Sequence, residues 1–554
     1  MASEVLYRRN NGRFGERIMN NKAKRILCML VSILMMLTFC SCDQNALNRE
    51  KAINTKGFTV SDAPGVYYEI FVGGFSDSDG DGMGDLMGIV NRMDYLNDGD
   101  PLSGKSLGVE GLWLMPVMKA GSYHKYDVID YYEIDDDYGT MEDFTKLISA
   151  CDERGVDVII DLVLNHTSEY NQWFLDLKSA ITEGDTSSRY LDWYCITTDA
   201  SKGWHKLAQD PDGLQYYYEG NFSPSMPELN MDEPEVLEEI ENIVKFWLDK
   251  GVKGFRLDAV KYVYLDDDNR NIAFWKWFSD TCKKYDEDVF LVGEDWSGET
   301  HIYEYYEALD CFDFGMATSA GEVALTVNGT YSVNDFVGYL CNYRSKVIES
   351  NPDAVLKPFI SNHDMDRAAG YLSVKEGKMQ MAANLYMLTS GTPFIYYGEE
   401  IGMKGSKGTS STDANRRLAM LWGDDDTVTD PVGSTYDPTL QKNGTVSDQI
   451  KDRNSLYTYY KKLIALRRSN VEIIMGDYTA LNFDGYTLFG GFITKYEGVT
   501  KGVFHNLWDE SVEIDLSKYT DITFSEICGY IGQGKAELSG TVLTLAPMTS
   551  VILK

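Results

Sequence analysis

The chain of 554 residues is poor in the residue types that bind zinc or form redox centres, with nine cysteines and six histidines. The cysteines show none of the paired spacings that structural zinc sites and thiol redox motifs require. The sequence therefore excludes both kinds of site. The six cysteines after residue 42 are expected to be buried free thiols, although disulfides stay open: Cys151, Cys195, Cys282, Cys311, Cys341 and Cys528.

Positive charge is also scarce. Lysine and arginine total 51 against 86 aspartates and glutamates, which gives a formal net charge of −35. A surface of this sign repels phosphate backbones and anionic lipid, so no nucleic-acid partner is expected. The excess of acidic residues is explained more simply by the solubility of an exported protein.

The N-terminal apolar run, residues 26–39, is too short to span a bilayer comfortably and follows a basic segment. This order is typical of a signal peptide. A small residue then precedes Cys42, and the stretch resembles a bacterial lipobox, in which the cysteine is acylated. We expect a signal peptide over residues 1–41 and a lipidated tether over 42–63. The protein would be a bacterial lipoprotein, exported to the membrane or cell surface and attached only through its lipid.

From about residue 64, short apolar runs alternate with longer stretches that are compatible with helices. The runs are apolar throughout, which is typical of strands buried on both faces of a parallel sheet. Eight such runs predict an α/β fold, a (β/α)8 TIM barrel. They cover residues 66–75, 109–117, 156–164, 252–257, 289–292, 312–316, 356–360 and 393–397.

Two further segments are predicted around the barrel. The interval between the third and fourth runs is about double what one βα unit requires, so we expect a small domain at about residues 167–230, inserted after the third strand. After residue 470 the helical pattern fades and short alternating segments follow. They indicate a C-terminal antiparallel β-sandwich over 470–554, which leaves residues 64–469 for the catalytic barrel.

Polar clusters follow four of the eight runs, at the barrel end where active sites are built. A single acidic residue there is ordinarily a helix cap, and Asp161 alone would be read as structural. Four clusters at one end are not explained by caps. Converging carboxylates without a phosphate loop or zinc spacing indicate glycosidic chemistry, in which two carboxyl groups flank the bond. The clusters are residues 161–166, 254–262, 293–296 and 361–364.

These stretches resemble, in order and separation, the conserved regions of the α-amylase family, glycoside hydrolase family 13. Residues 226–230 resemble an additional region of that family, and the resemblance extends from residue 64 to the end. It implies Asp258 as nucleophile, Glu294 as general acid/base and Asp364 as a third carboxylate, in a double displacement that retains the anomeric configuration. The Asp258 and Glu294 carboxyl groups should then lie about 5–5.5 Å apart, and the pKa of Glu294 should be raised.

The resemblance also implies residues that bind the α-glucan. Tyr126 would stack under the sugar ring at the cleavage point, and Arg256 would keep the nucleophile ionised. The family usually has glycine where Lys125 stands, a departure that the sequence alone does not explain. The implied substrate-binding residues are Tyr126, His124, His166, Arg256, Lys261 and His363.

An acidic loop after the first run resembles a calcium site found in several branches of the family. Oxygen ligands at alternate positions with glycines between them suit Ca²⁺. An EF-hand is excluded because Gly88 stands at the twelfth position, where glutamate is needed. The alternative is a solvated acidic turn. We expect a structural Ca²⁺ held by Asp77, Asp79, Asp81, the carbonyl of Met83 and Asp85.

Within the family, the sequence favours an endo-acting α-amylase that cleaves α-1,4 bonds in starch and maltooligosaccharides. Lys261 and Tyr262 resemble a pair found in α-amylases, and Tyr123 replaces an aspartate that closes the pocket of many exo-acting glucosidases. The region around Met226 is closer to neopullulanases and cyclomaltodextrinases, so these and α-glucosidase-type enzymes stay open. A non-catalytic glucan-binding scaffold is disfavoured because the three carboxylates are kept. A monomer is expected.

Overall fold

A computed structural model describes residues 63–554, so the predicted signal peptide, Cys42 and nearly all of the tether lie outside the described residues. Eight parallel strands form one sheet in the order β7-β6-β5-β4-β3-β2-β1-β8, which confirms the predicted α/β barrel fold. The strands are β1 Tyr67–Ile70, β2 Gly111–Leu114, β3 Asp157–Leu162, β4 Gly254–Leu257, β5 Phe290–Gly293, β6 Asp310–Asp313, β7 Lys357–Pro358 and β8 Phe394–Tyr396.

Six of the eight barrel strands read as largely apolar runs because each of them contributes to two cores. Alternate side chains of a strand point to opposite faces. In β2, Trp113 belongs to an aromatic cluster with Phe312 and Phe394, whereas Leu112 and Leu114 belong to the large core that also contains the helices.

The sixth strand is displaced from its predicted position. The run 312–316 was expected, and β6 is Asp310–Asp313. Phe314 lies after the strand but remains buried, with its ring centre 5.1 Å from that of Phe359. The apolar signal thus continues past the strand because residues at the barrel mouth are also buried.

Helices follow most of the strands and cover the barrel. The helix Met141–Asp152 shows how the sequence sets an end, because Thr140 and Asp143 form a reciprocal capping box at its first turn. No helix among residues 63–554 is long and apolar enough to cross a membrane. The α-helices are Leu86–Asn91, Met93–Leu96, Met141–Asp152, Gln172–Glu183, Pro234–Asp249, Asp268–Lys283, Glu299–Tyr305, Glu322–Val327, Val333–Ser350, Lys378–Met387, Val446–Gln449, Leu456–Arg468 and Val471–Met475.

Two small sheets lie above the strand ends. One is the antiparallel pair Met118–Ala120 and Val128–Ile134, which follows β2. The other has three antiparallel strands and stands after the helix Gln172–Glu183, in the long interval between β3 and β4: Ile196–Thr197, His205–Gln209 and Gln215–Tyr218.

The C-terminal residues form two antiparallel sheets, as predicted. Five strands pair in the order β9-β10-β11-β16-β13, and three pair in the order β12-β15-β14. Phe489 and Phe504 of the larger sheet share one core with Ile514 and Leu543 of the smaller sheet. The strands are β9 Asp477–Leu481, β10 Phe489–Tyr496, β11 Val499–Asn506, β12 Val512–Asp515, β13 Ile527–Gly532, β14 Ala536–Ser539, β15 Val542–Leu545 and β16 Thr549–Leu553.

All six cysteines of residues 63–554 are free thiols, as expected. Three are buried and three are only half-buried, so full burial holds for Cys151, Cys282 and Cys311 alone.

Candidate active site

The loops at the carboxyl ends of the barrel strands enclose a cleft of about 680 Å³. It brings together the three carboxylates that the sequence singled out, although they come from loops after β4, β5 and β7. The residues that line it are Tyr123, His124, Tyr126, His166, Phe222, Ser223, Met226, Asp258, Ala259, Lys261, Tyr262, Glu294, Trp296, Asp364, Asp413 and Arg417.

Arg256 is fully buried beneath the cleft and holds three carboxylates at once. Its Nη1 donates to Oδ1 of Asp161 at 2.8 Å and to Oδ1 of Asp258 at 2.7 Å, and its Nη2 lies 2.8 Å from Oε2 of Glu294. The strand register explains this meeting, because Arg256 pairs with Asp161 across β3 and β4. The planar guanidinium serves several acceptors in fixed geometry, which a lysine does not offer.

Glu294 has the protonation behaviour required of a general acid. Burial raises its pKa to about 7, even though the Arg256 cation acts in the opposite direction and Asp258 adds to the rise. The backbone N–H of Ala259 donates to its Oε2 at 3.2 Å. Ala259 has a φ of 51°, so a left-handed residue next to Asp258 directs this N–H toward Glu294. The expected rise in the pKa of Glu294 is confirmed.

Asp364 is held by two cations. His363 Nε2 lies 2.9 Å from its Oδ2, and Arg417 Nη2 donates to its Oδ1 at 2.8 Å. Burial opposes ionisation of Asp364, but His363 and then Arg417 outweigh it and hold its pKa well below the usual range. His363 is itself buried, yet Asp364 and Glu69 raise its pKa to about 9. Asp364 is therefore an anion, and His363 a cation, at neutral pH.

Glu69, near the carboxyl end of β1, completes this network. Its Oε1 accepts from His363 Nδ1 at 2.6 Å. The other nitrogen of His363 lies 2.7 Å from the hydroxyl of Tyr126, which also donates to Oδ2 of Asp161 at 2.9 Å. Both ring nitrogens of His363 thus have protein partners, and its direct contact with a sugar stays a prediction.

The other predicted substrate residues line the cleft. His166 is buried, and its Nε2 has no hydrogen-bond partner within the described residues, so it is available to a ligand hydroxyl. Burial lowers the pKa of His166 and, with Arg417, lowers that of His124 to about 4, so both are neutral at pH 7. Lys261 donates to the carbonyl of Trp296 at 3.0 Å and thereby connects the loops that follow β4 and β5.

Aromatic side chains flank the carboxylates and remain open to solvent. Phe222 and Trp296 are each 47% exposed. Trp296 is backed by Phe314 at 5.1 Å, and Phe222 by the ring of Tyr262 at 5.0 Å. The Trp296 contact is stacked, so its ring is supported on one face in a way that suits stacking against a sugar, whereas the contact of Phe222 with Tyr262 is T-shaped.

The acidic loop after β1 gathers three of its predicted calcium ligands. Carboxylate oxygens of Asp77, Asp79 and Asp85 lie within 4.8 Å of one another. Asp81 is not in this group, and its Oδ1 accepts from the backbone N–H of Met83 at 2.7 Å. The three grouped carboxylates suit a hard cation such as Ca²⁺.

Three residues of the candidate site were missed or undervalued from sequence. Glu69 interrupts an apolar strand, which was a usable signal because buried acids are rare unless paired. Arg417 lies beyond the eighth strand, and nothing local connects it to Asp364. Asp161 was read as structural by itself, whereas it is a partner of both Arg256 and Tyr126.

The chain is similar to known proteins over most of its length. The family described as alpha amylase, catalytic domain, matches residues 69–476. The Alpha-amylase 3 of Dictyoglomus thermophilum is 36% identical over 504 residues, covering 88% of this chain and 93% of that protein. The structure of Eubacterium rectale Amy13B superposes with a TM-score of 0.82 at 31% identity, covering 90% of this chain and 97% of the other.

A crystal structure of an alpha-amylase from H. orenii superposes with a TM-score of 0.76 at 33% identity, covering 89% of this chain and 99% of the other. Other relatives carry different names, among them 4-alpha-glucanotransferase, oligo-1,6-glucosidase and neopullulanase.

Proposed function

This chain belongs to the α-amylase family of glycoside hydrolases, and from that premise we propose that it is an endo-acting α-amylase. It would cleave α-1,4-glucosidic bonds in starch and maltooligosaccharides with retention of configuration. The observation that carries the proposal is the pair of carboxylates on Arg256. Asp258 forms an ion pair with Nη1, whereas Glu294, on Nη2, has a pKa raised by burial to about 7.

In the proposed mechanism, Asp258 attacks the anomeric carbon while Glu294 donates its proton to the departing glycosidic oxygen. Because Arg256 holds Oδ1 of Asp258, we assign the attack to Oδ2. Glu294, now a carboxylate, takes a proton from water, and that water displaces Asp258 from the covalent glycosyl-enzyme. Each step leaves the anomeric carbon inverted once, so the net result is retention.

The remaining residues would bind and orient the sugar at the cleavage point. Asp364 is a fixed anion that accepts hydrogen bonds from ring hydroxyls, and His166 and neutral His124 add further polar contacts. Tyr126 presents its ring and is anchored by its hydroxyl to Asp161. The endo assignment rests on the exposed rings of Phe222 and Trp296, which provide stacking surfaces on the cleft wall.

A time course on amylose tests the proposal. Endo action predicts that iodine staining falls early, before much reducing sugar has accumulated, and NMR should show α-anomers as the first products. Release of glucose alone, with no early loss of staining, would exclude endo action. Hydrolysis of pullulan or cyclodextrin in preference to amylose would instead identify a neopullulanase or cyclomaltodextrinase. Products longer than a maltotriose substrate would identify a glucanotransferase.

We also propose that Asp77, Asp79 and Asp85 hold a structural Ca²⁺, with Asp81 and the carbonyl of Met83 as further predicted ligands. The ion would neutralise the clustered acids and fix the loop after β1; the carboxylates of the cleft carry the reaction. The support is the proximity of the three carboxylates.

We further propose that the protein is an exported lipoprotein acylated at Cys42, and that it functions as a monomer. The support is the sequence pattern of residues 26–42. Metabolic labelling with a fatty acid should label the wild type but not Cys42→Ala, and the variant should move from the membrane fraction to the soluble one. Equal labelling of both proteins would exclude this acylation site.

A further inference from the structure

Lys125 stands in a turn between two residues that line the cleft, His124 and Tyr126, but its own side chain is buried. Its φ of 65° is left-handed, a conformation that glycine adopts freely and that a residue with a Cβ adopts only when its surroundings enforce it. A lysine at this position must therefore be held by strong contacts.

Those contacts are two carboxylates of the loop that follows the strand Val128–Ile134. The Nζ of Lys125 donates to Oδ1 of Asp135 at 2.8 Å and to Oδ2 of Asp137 at 2.6 Å. It also lies 5.2 Å from the centre of the Tyr138 ring. The other oxygen of Asp135 accepts from the backbone N–H of Ala120 at 2.9 Å. Asp135 thus joins the start of the turn to its buried lysine.

Within the turn, the other hydrogen bonds are local. Ser122 donates its backbone N–H to Oδ1 of Asp127 at 3.1 Å, and its hydroxyl lies 3.0 Å from Nδ1 of His124. The turn itself contributes Tyr126, whose hydroxyl reaches Asp161 and His363. A shift of this turn would therefore displace the ring at the cleavage point and a partner of the carboxylate network together.

We propose that Lys125 is a positioning residue for glycoside hydrolysis, which rests on the function proposed above. Its two ion pairs hold the left-handed turn so that His124 and Tyr126 face the sugar at the cleavage point. The glycine that the family usually has here adopts a left-handed conformation freely, whereas the lysine is held in that conformation by its ion pairs. Without it, Asp135 would be a buried anion with no cation, an arrangement that strongly disfavours the present position of the turn.

The test compares Lys125→Met with Lys119→Met. Lys119 is a matched control because it lies on the same hairpin and pairs with Glu133 and Asp136. Unlike Lys125 it is only half-buried, and both of its partners are exposed, so its pairs contribute little. In Lys125→Met, kcat on maltoheptaose should fall at least about 10-fold with KM changed less than about 3-fold. Amide exchange of the peptide spanning 119–130 should accelerate in this variant alone. Lys119→Met should match the wild type in both.

A third variant, Lys125→Met/Asp135→Asn, separates positioning from the penalty of an unpaired buried charge. Its unfolding temperature should be closer to that of the wild type than the unfolding temperature of Lys125→Met is, while its kcat stays low. If Lys125→Met does not fold, the double variant is used in its place. A wild-type kcat in either folded Lys125 variant would overturn the proposal, as would exchange equal to the wild type. If the wild-type enzyme is inactive on α-glucans, the function proposed above fails, whereas the exchange measurement still decides the role of Lys125.

Discussion

The raised pKa of Glu294 predicts where activity is lost on the alkaline side. Burial, only partly offset by Arg256, moves this pKa from 4.5 to about 7. The difference corresponds to about 3 kcal/mol in favour of the protonated form. Because the group must donate a proton to the leaving oxygen, kcat/KM should be half-maximal near pH 7 and should fall about tenfold for each further pH unit.

The assay is hydrolysis of maltoheptaose between pH 5 and 9, with α-maltotriosyl fluoride as the control substrate. Fluoride departs without needing a proton from the enzyme. The alkaline limb of the pH–rate profile should therefore be much shallower for the fluoride than for a substrate whose leaving group is a sugar. Glu294→Gln should lose most activity on maltoheptaose while keeping far more of it on the fluoride.

Two results would refute this reasoning about Glu294. One is a loss of kcat/KM that is already half complete near pH 4.5, which would mean that burial does not control the protonation of this carboxyl. The other is an identical alkaline limb for the fluoride and for maltoheptaose, which would mean that another group controls the loss of activity.

Three more predictions follow from buried, exposed and clustered groups. Burial raises the pKa of Glu399 to about 8, so its contribution to stability is fully present below about pH 4.5 and is lost as pH rises toward 8. The unfolding temperature of the wild type should therefore fall between pH 5 and 8, and Glu399→Gln should reduce that fall, an effect of at most about 5 kcal/mol. An unchanged slope in the variant would contradict this prediction. Trp296→Ala should raise KM for amylose about 3- to 10-fold, from the loss of about 0.5–1.5 kcal/mol of stacking, with little change for maltotriose; an equal effect on both substrates would argue against a remote sugar contact. A chelator should lower the unfolding temperature of the wild type but not of Asp79→Asn, which keeps an oxygen for the N–H of Asp81; equal responses would count against the calcium site.

The fold was predictable because a strand that is buried on both faces appears in the sequence as a short run of apolar residues. Six of the eight barrel strands carry apolar residues in both the inner and the outer core, so the runs were visible without any knowledge of pairing. The boundaries were less accessible, since apolar residues continue past a strand wherever the barrel mouth is closed. Phe314 is such a residue, and it displaced the expected sixth strand by two positions at its start.

The candidate site was predictable where chemistry follows a strand end directly, as for Asp258 and Glu294. It was not predictable where a partner arrives from a distant part of the chain. Arg417 reaches Asp364 across 53 positions and Glu69 reaches His363 across 294. Lys125 was visible only as a departure from the family, because its meaning depends on two aspartates that fold back against it.

Arg256 shows why residue type alone does not assign roles in such a site. Asp161 and Glu294 both contact its guanidinium, and a nearby cation by itself lowers the pKa of a carboxyl. Burial nevertheless raises the pKa of Asp161 to about 6 and that of Glu294 to about 7. The Arg256 cation therefore limits the rise in pKa that burial causes. As a result the pKa of Glu294 stays near neutral pH, and the carboxyl can be present in both its protonated and its ionised form. An acid held in that range can release its proton to the leaving group and regain one from water, which a double displacement requires of a single residue.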